Sequence, residues 1–336
     1  MRVLFIKLTS MGDVIHALAA LSDAFQHVPG LIVDWVVDEN FQEIPKMHPA
    51  VRQIITTNHR NWRKSPWAAL RPVYSFLKEL RGARYDFVID GQTNWKSALI
   101  ARLAKGTTVG LDRFSAREYV AHFAYDIKHH VSRKQHAVAH LREFFSQVFD
   151  YPLQDTPPNF GIQLPPRFPT EASLPPEYYV LVHAASWETK LWPEETFSDL
   201  ISHLDLPVLL VWGSKSEQKR AQNIAQGHAH AHVLPKMGLM RTAQVLQGAK
   251  AVVSVDTGLG HLSAALGVPT LGVHGPTDPK RVGSIGPKSA HVQPSIACFP
   301  CHKSRCYYQG KRRGAPHCLQ KISAEVVLDA LNNLLD

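Results

Sequence analysis

A chain of 336 residues, 45% apolar and 19% charged, has the balance of a folded protein with a substantial core and excludes a disordered or fibrous one. It holds no apolar run of about 18 residues that could span a membrane, and Val3 to Ile6 is too short for a signal-peptide core, so a cytoplasmic protein is expected. Thirty-seven Lys and Arg against 28 Asp and Glu leave a net charge of +9, which favours an anionic partner: nucleic acid, a phosphorylated ligand or an acidic membrane.

Arg2 to Leu8 reads as a short buried strand, and a turn at Thr9 to Gly12 leads into a helix over Asp13 to Gln26, with Val14, Leu18, Leu21 and Phe25 on one face. Further strands are predicted at Ile32 to Val37, Gln53 to Thr57, Phe87 to Asp90 and Thr107 to Gly110, with helices at Pro72 to Arg81 and Asn94 to Ala104. This alternation describes a parallel doubly wound α/β domain. Pro152, Pro157, Pro158, Pro165, Pro166, Pro169, Pro175 and Pro176 then forbid a continuous helix and mark a linker. The rhythm resumes with strands at Tyr178 to His183, Pro207 to Trp212, Ala251 to Val255 and Thr270 to His274. Helices are predicted at Glu194 to His203, Glu217 to Gln226, Met240 to Gln247 and Gly260 to Leu266, and an amphipathic helix over Ser323 to Leu335 closes the chain. The expected domains are 1–165, 166–322 and the closing helix 323–336, which is free to pack back on the first domain. Two α/β halves of this kind are expected to bind their ligand at the carboxyl ends of strands, in a cleft between them.

The positive charge is concentrated. Residues 58–142 carry sixteen Lys and Arg against six Asp and Glu, and residues 303–321 add six basic side chains and no acid. A solvated basic face and an anion site are both open on charge alone. No GxGxxG follows the first strand, no GxxxxGK[ST] occurs, and GxSxG and HExxH are missing. A dinucleotide fold is therefore weakly supported, and P-loop NTPases, common hydrolases and zinc proteases are excluded.

Three strand-to-helix turns carry chemistry. In Lys7-Leu8-Thr9-Ser10-Met11-Gly12-Asp13, Asp13 at a helix start is stabilised as an anion by free N–H groups and could accept a proton; from spacing alone its plainer role is a helix cap. In His183-Ala184-Ala185-Ser186, followed by Lys190-Leu191-Trp192-Pro193, the Ser186 hydroxyl and the Lys190 ammonium suit a pyrophosphate, with Trp192 a core anchor. In Ser254-Val255-Asp256-Thr257-Gly258-Leu259-Gly260-His261, a strand delivers Asp256 for sugar hydroxyls, and the glycines open a helix whose N–H groups can face a phosphate or sugar.

These segments, KLTSMGDVIHALAAL at 7–21, HAASWETKLWP at 183–193, VLPKM at 233–237 and VSVDTGLGHLSAALGVPTLGVHGPTDP at 253–279, resemble the bacterial lipopolysaccharide heptosyltransferases of glycosyltransferase family 9. The likeness extends over nearly the whole chain through VDWVV at 33–37, NWRK at 61–64, ARE at 116–118 and KQHAV at 134–138. It is greatest to the type I enzymes, which add the first heptose. It implies a GT-B fold of two Rossmann-like domains and an inverting transfer of L-glycero-D-manno-heptose from ADP-heptose to Kdo-lipid A. The enzyme would be a monomer on the cytoplasmic face of the inner membrane, with no nucleic acid and no required cofactor. Carried over, the resemblance makes Asp13 the general base and Lys190 the residue that offsets charge on departing ADP. It assigns Ala185, Ser186, Lys190, Glu217, Met237, Asp256, Thr257, Gly258 and His261 to the donor, with Glu217 at the ribose and Met237 at the adenine. Ala185 stands where relatives carry Thr. Arg60, Arg63, Lys64, Arg113, Arg117 and Lys128 would meet the acidic acceptor, beside Trp62 and Trp67.

Cys298, Cys301, Cys306 and Cys318 have near-zinc spacing and are candidate ligands of a structural zinc, against reduced thiols in a folded loop. Such clusters also occur in type II enzymes, which keeps transfer of the second heptose open. From other classes, a metal-stabilised nucleic-acid-binding protein and an epimerase on the same fold remain alternatives.

Overall fold

The computed structural model describes residues 1–59, 62, 66–153, 155–166, 174–308 and 315–336. It divides into two compact units, Met1–Gln163 and Leu164–Asp336, a boundary two residues before the one expected.

In the first unit, strands β1 (Arg2–Ile6), β2 (Ile32–Asp38), β3 (Val51–Thr57), β4 (Phe87–Asp90), β5 (Thr107–Leu111) and β6 (Ile127–His129) form one six-stranded sheet in the order β3-β2-β1-β4-β5-β6. All its pairs are parallel. Helices α1 (Met11–His27), α2 (Pro66–Leu80), α3 (Trp95–Leu103) and α4 (Ala137–Phe149) connect the strands and cover the sheet. The order reverses between β1 and β4, so the loops that follow these two neighbours run apart and leave room for a ligand at their carboxyl ends. Val3, Leu4, Phe5 and Ile6 are buried, and the Phe5 ring meets Trp35 edge-on at 4.6 Å and Phe145 at 5.0 Å. Helix α4, which periodicity did not reveal, packs along α1 and ties to it through Arg142, whose Nε lies 2.6 Å from Asp23 Oδ2.

The second unit repeats this topology. Strands β7 (Tyr179–Val182), β8 (Val208–Leu210), β9 (Ala231–Val233), β10 (Ala251–Val255), β11 (Thr270–Val273) and β12 (Ser289–Val292) form a parallel sheet ordered β12-β11-β10-β7-β8-β9. Its switch point lies between β7 and β10. The main helices are α5 (Glu194–Ser202), α6 (Lys215–Ala225), α7 (Leu239–Gln247), α8 (Gly258–Ala265) and α9 (Ala324–Leu335). Trp192 is fully buried against Phe197, as its reading as a core anchor requires, and its indole N–H donates to the Ile322 carbonyl at 2.9 Å. Periodicity left α9 free to pack on the first domain. Its Val327 and Leu331 instead lie in the core of the second unit, where α9 meets α5, β11 and β12. Among the described residues no helix is long and apolar enough to cross a membrane.

Gly91, just past β4, shows how tightly the first switch point is built: a Cβ there would stand 2.6 Å from the Phe5 ring. Gly91→Ala is expected to cost about 1–3 kcal/mol of stability through this overlap, measured by urea denaturation. Because Gly91 also anchors the loop described next, the variant should lose activity at temperatures where it remains folded.

Candidate active site

The end of β1 is fastened to the end of β4. Asp90 accepts from the Gln92 and Thr93 N–H groups, both at 2.9 Å, and from the Tyr125 hydroxyl at 2.7 Å, which fixes the turn after β4. That turn holds its neighbour: Gln92 Oε1 accepts from Leu8 N at 3.1 Å and Thr9 N at 3.2 Å, and the Gly91 carbonyl accepts from Lys7 Nζ at 2.9 Å. Lys7 is buried, and burial pulls its ammonium below its ordinary pKa against the attraction of Asp13 and Asp90.

Asp13 lies in the first turn of α1, where free N–H groups favour an anion. Ser10 donates to its Oδ2 twice, from N at 2.8 Å and Oγ at 2.7 Å, while Oδ1 accepts no hydrogen bond among the described residues. Burial pushes the Asp13 carboxyl up, but Lys7, the two Ser10 bonds and Arg117 outweigh it and hold the pKa below its ordinary value of 3.8. The site is therefore a carboxylate that stays ionised with one oxygen free.

The second unit gathers its site at the ends of β7 and β10. Lys190 follows β7, and its Nζ lies 2.7 Å from Asp256 Oδ2 and 4.9 Å from the centre of the Trp187 ring. Asp256, 6% exposed, also accepts from Thr277 Oγ1 at 2.5 Å on the same oxygen, while His261 Nε2 lies 3.6 Å from Oδ1. Burial opposes ionisation here too. His261 and Lys190 overcome it and hold the Asp256 carboxyl well below its ordinary range. Thr257 caps α8, whose first turn carries Gly258, Gly260 and His261. A Cβ on Gly260 would stand 2.6 Å from Ser254 Oγ, so only glycine allows the helix this close to β10. Ser186 is exposed, and Ala185 rests against the core.

A buried carboxylate ion-paired to lysine beside a glycine-opened helix fits an anionic sugar nucleotide, and the comparisons agree. Residues 73–312 match glycosyltransferase family 9 (heptosyltransferase). Lipopolysaccharide heptosyltransferase 1 of Pseudomonas aeruginosa is 41% identical over 100% of this chain and 98% of its own length. That of Escherichia coli is 45% identical over 85% and 91%. The chain belongs to this family. Among solved structures, E. coli heptosyltransferase WaaC with ADP superimposes at TM-score 0.86 with 39% identity, covering 99% of this chain and 100% of that one. The same enzyme with ADP-2-deoxy-2-fluoro heptose gives 0.85 at 38% identity, covering 99% of both chains. The expected GT-B type of fold is thereby established, and the chain is a glycosyltransferase.

Within this heptosyltransferase the remaining expectations fall unevenly. Glu217 sits in α6, where its Oε2 accepts from Gly213 N at 2.7 Å and Ser214 N at 2.9 Å, so one carboxylate oxygen caps the helix. Met237 is half-buried just before α7. Arg117 lies close enough to Asp13 to lower its pKa, and its N–H donates to Thr93 Oγ1 at 3.0 Å. Arg113 is exposed over the Phe114 ring, and Lys128 is exposed on β6. Arg60, Arg63 and Lys64 lie outside the described residues. The four cysteines are half-buried free thiols, and burial pushes Cys318 up to about 11. No group of three or more His, Cys, Asp or Glu among the described residues is arranged to hold a metal, so the zinc expectation gains no support from the geometry.

Sequence reasoning quoted Lys7 and Thr277 in motifs but gave neither a role. Lys7 directly follows a buried strand, which was the available signal; Thr277 had none.

Lys190→Ala would leave Asp256 a buried anion without its lysine partner. Activity is expected to fall by about 100-fold or more, with weaker donor binding by calorimetry. A carboxyl depressed in the folded state contributes stability above its unfolded pKa and loses it as pH falls through the folded value. The wild-type advantage over Lys190→Ala in thermal melts should therefore persist from pH 8 to about 5.

Proposed function

We propose that this chain transfers L-glycero-D-manno-heptose from ADP-heptose, with inversion, to a Kdo hydroxyl of Kdo-lipid A in inner-core lipopolysaccharide synthesis, at the cytoplasmic face of the inner membrane. The observation that carries the reading is the ionised Asp13 with its free Oδ1. An alcohol is a poor nucleophile until it gives up its proton. Asp13 Oδ1 takes the proton from the acceptor hydroxyl as that oxygen bonds to the anomeric carbon of heptose. The bond from the anomeric carbon to the phosphate oxygen breaks, and ADP leaves with the electron pair. Displacement from the opposite face inverts the anomeric centre. Lys190 offsets the charge that develops on ADP, aided by the N–H groups that open α8, so this chain's own cations serve where other transferases use a divalent metal. Asp256, His261 and Thr257 hold heptose hydroxyls and phosphate, with Ser186 beside the pyrophosphate.

The acceptor side is supported by charge and exposure. Arg113, Arg117 and Lys128 are exposed in the first unit and suit phosphates and carboxylates. On α2, Trp67 is 87% exposed, with Leu70 and Tyr74 exposed beside it at i+3 and i+7, and Arg71 and Lys78 are exposed on the same helix. An apolar stripe flanked by cations fits an anionic bilayer surface. Trp62, by contrast, is half-buried against the core, its ring 5.5 Å from Phe76.

Asp13→Asn should bind ADP-heptose almost normally yet lose turnover by about a thousandfold, read by mass spectrometry of the glycolipid product; normal turnover would remove Asp13 from the base role. Because its pKa lies below 3.8, kcat/KM should show no Asp13 inflection above about pH 4. Trp67→Ser with Tyr74→Ser should weaken co-sedimentation with anionic vesicles by about tenfold or more while leaving turnover of a soluble Kdo acceptor intact.

A further inference from the structure

The two oxygens of Asp256 are held at different distances. Lys190 Nζ, at 2.7 Å, and the Thr277 hydroxyl, at 2.5 Å, both reach Oδ2, whereas Oδ1 has the His261 ring at 3.6 Å. Thr277 has one proton, which it donates to Asp256, so its oxygen can only accept from elsewhere. His274 Nδ1 lies 3.4 Å from that oxygen. Burial holds His274 neutral, with its pKa down to about 3. A neutral ring that donates through Nδ1 leaves Nε2 as an acceptor, which fixes the tautomer. The fold makes room for this ring on purpose: a Cβ on Gly272 would stand 3.0 Å from His274 Nε2 and 2.9 Å from His291 Cδ2. His291 meets His274 edge-on at 5.0 Å and lies 3.3 Å from Ser284 Oγ through its own Nε2.

We propose that Thr277 and His274 are positioning residues for the donor site, acting through the chain His274 Nδ1–H to Thr277 Oγ1–H to Asp256 Oδ2. Lys190 serves two anions, Asp256 in the empty site and the donor's pyrophosphate in the loaded one. When pyrophosphate draws the ammonium away, Oδ2 would be a buried anionic oxygen without a donor, and such an oxygen costs free energy. Thr277 keeps it satisfied, so Lys190 can leave, and Oδ1 stays turned toward the donor's hydroxyls. His274 keeps the Thr277 hydroxyl pointing at Asp256 by supplying the bond its oxygen would otherwise seek. Without this relay, Asp256 competes with the donor for Lys190. The inference rests on the reading of Asp256 and Lys190 as donor contacts.

The test is steady-state kinetics with ADP-heptose and Kdo-lipid A, with ADP titrated by calorimetry and folding followed by thermal melts. Thr277→Val should raise the KM for ADP-heptose about tenfold and weaken ADP binding, while kcat stays within about threefold. Thr277→Ser, which keeps the hydroxyl, should restore KM to near wild type. His274→Phe should raise KM by about threefold, and His274→Asn, which keeps an N–H donor, should raise it less. Asp256→Asn separates the two readings. If it leaves donor affinity intact, the donor-contact reading fails. If it weakens affinity while Thr277→Val does not, or if Thr277→Ser behaves like Thr277→Val, the positioning role is overturned.

Discussion

Both units are organised around keeping a carboxylate ionised away from bulk water. Burial alone would raise the pKa of both Asp13 and Asp256, since removing an anion from water costs several kcal/mol unless cations and hydrogen-bond donors replace the lost solvation. In the first unit Lys7, Ser10 and Arg117 provide that replacement, and in the second Lys190, His261 and Thr277 do. The two solutions share a location. Asp13 follows the first strand of its sheet and Asp256 follows the strand paired with the first in its own, so each flanks the point where strand order reverses. On the proposed function, the same backbone topology serves a proton acceptor in one unit and a lysine-paired hydroxyl acceptor in the other. The side chains that surround each carboxylate decide which.

This arrangement explains what could be read from the sequence. Asp13, Lys190 and Asp256 were legible because a strand that ends in a polar turn of small residues places the residues that follow at the carboxyl edge of a sheet. Lys7 was not. Its role depends on the Gly91 carbonyl, which comes from a neighbouring strand far along the chain, and no local pattern encodes that pairing. Thr277 and His274 escaped for the same reason, since they act on Asp256 from the loop after β11. The central strands were found nearly to the residue, while β6, β9 and β12 were missed. Each of these lies at or beside a sheet edge, and their Lys128, His129, His232 and His291 side chains break the apolar runs that mark the interior.

Charge counting was informative and incomplete. The basic excess over residues 58–142 includes Arg142, which is buried against Asp23 and ties α1 to α4, and Arg102, an exposed side chain that pairs with Asp126 at 3.2 Å. The first is not free for a glycolipid. Arg113 and Lys128 are exposed and remain available. Exposure also sorts the aromatic residues that composition cannot distinguish. Trp62 and Trp67 are five positions apart in the sequence, yet one packs on the core and the other faces solvent with Leu70 and Tyr74.

On the proposed mechanism Lys190 passes from Asp256 to the donor's pyrophosphate, and the segments around it are tied to a distant loop. Its neighbour Thr189 is buried and donates through Oγ1 to the Lys303 carbonyl at 2.8 Å. One residue away in the same segment, His302 N donates to the Pro276 carbonyl at 2.8 Å, next to Thr277. The loop that carries Cys301 and Cys306 thus holds the Thr189 side chain, next to Lys190, and the Pro276 backbone, next to Thr277. With both anchors fixed, the ammonium can pass from carboxylate to pyrophosphate by rotating its own flexible stem past the Trp187 ring. The exchange is then a choice between two anions presented to one cation. Its balance depends on how well Asp256 is satisfied by its other partners and does not require the sheet to move.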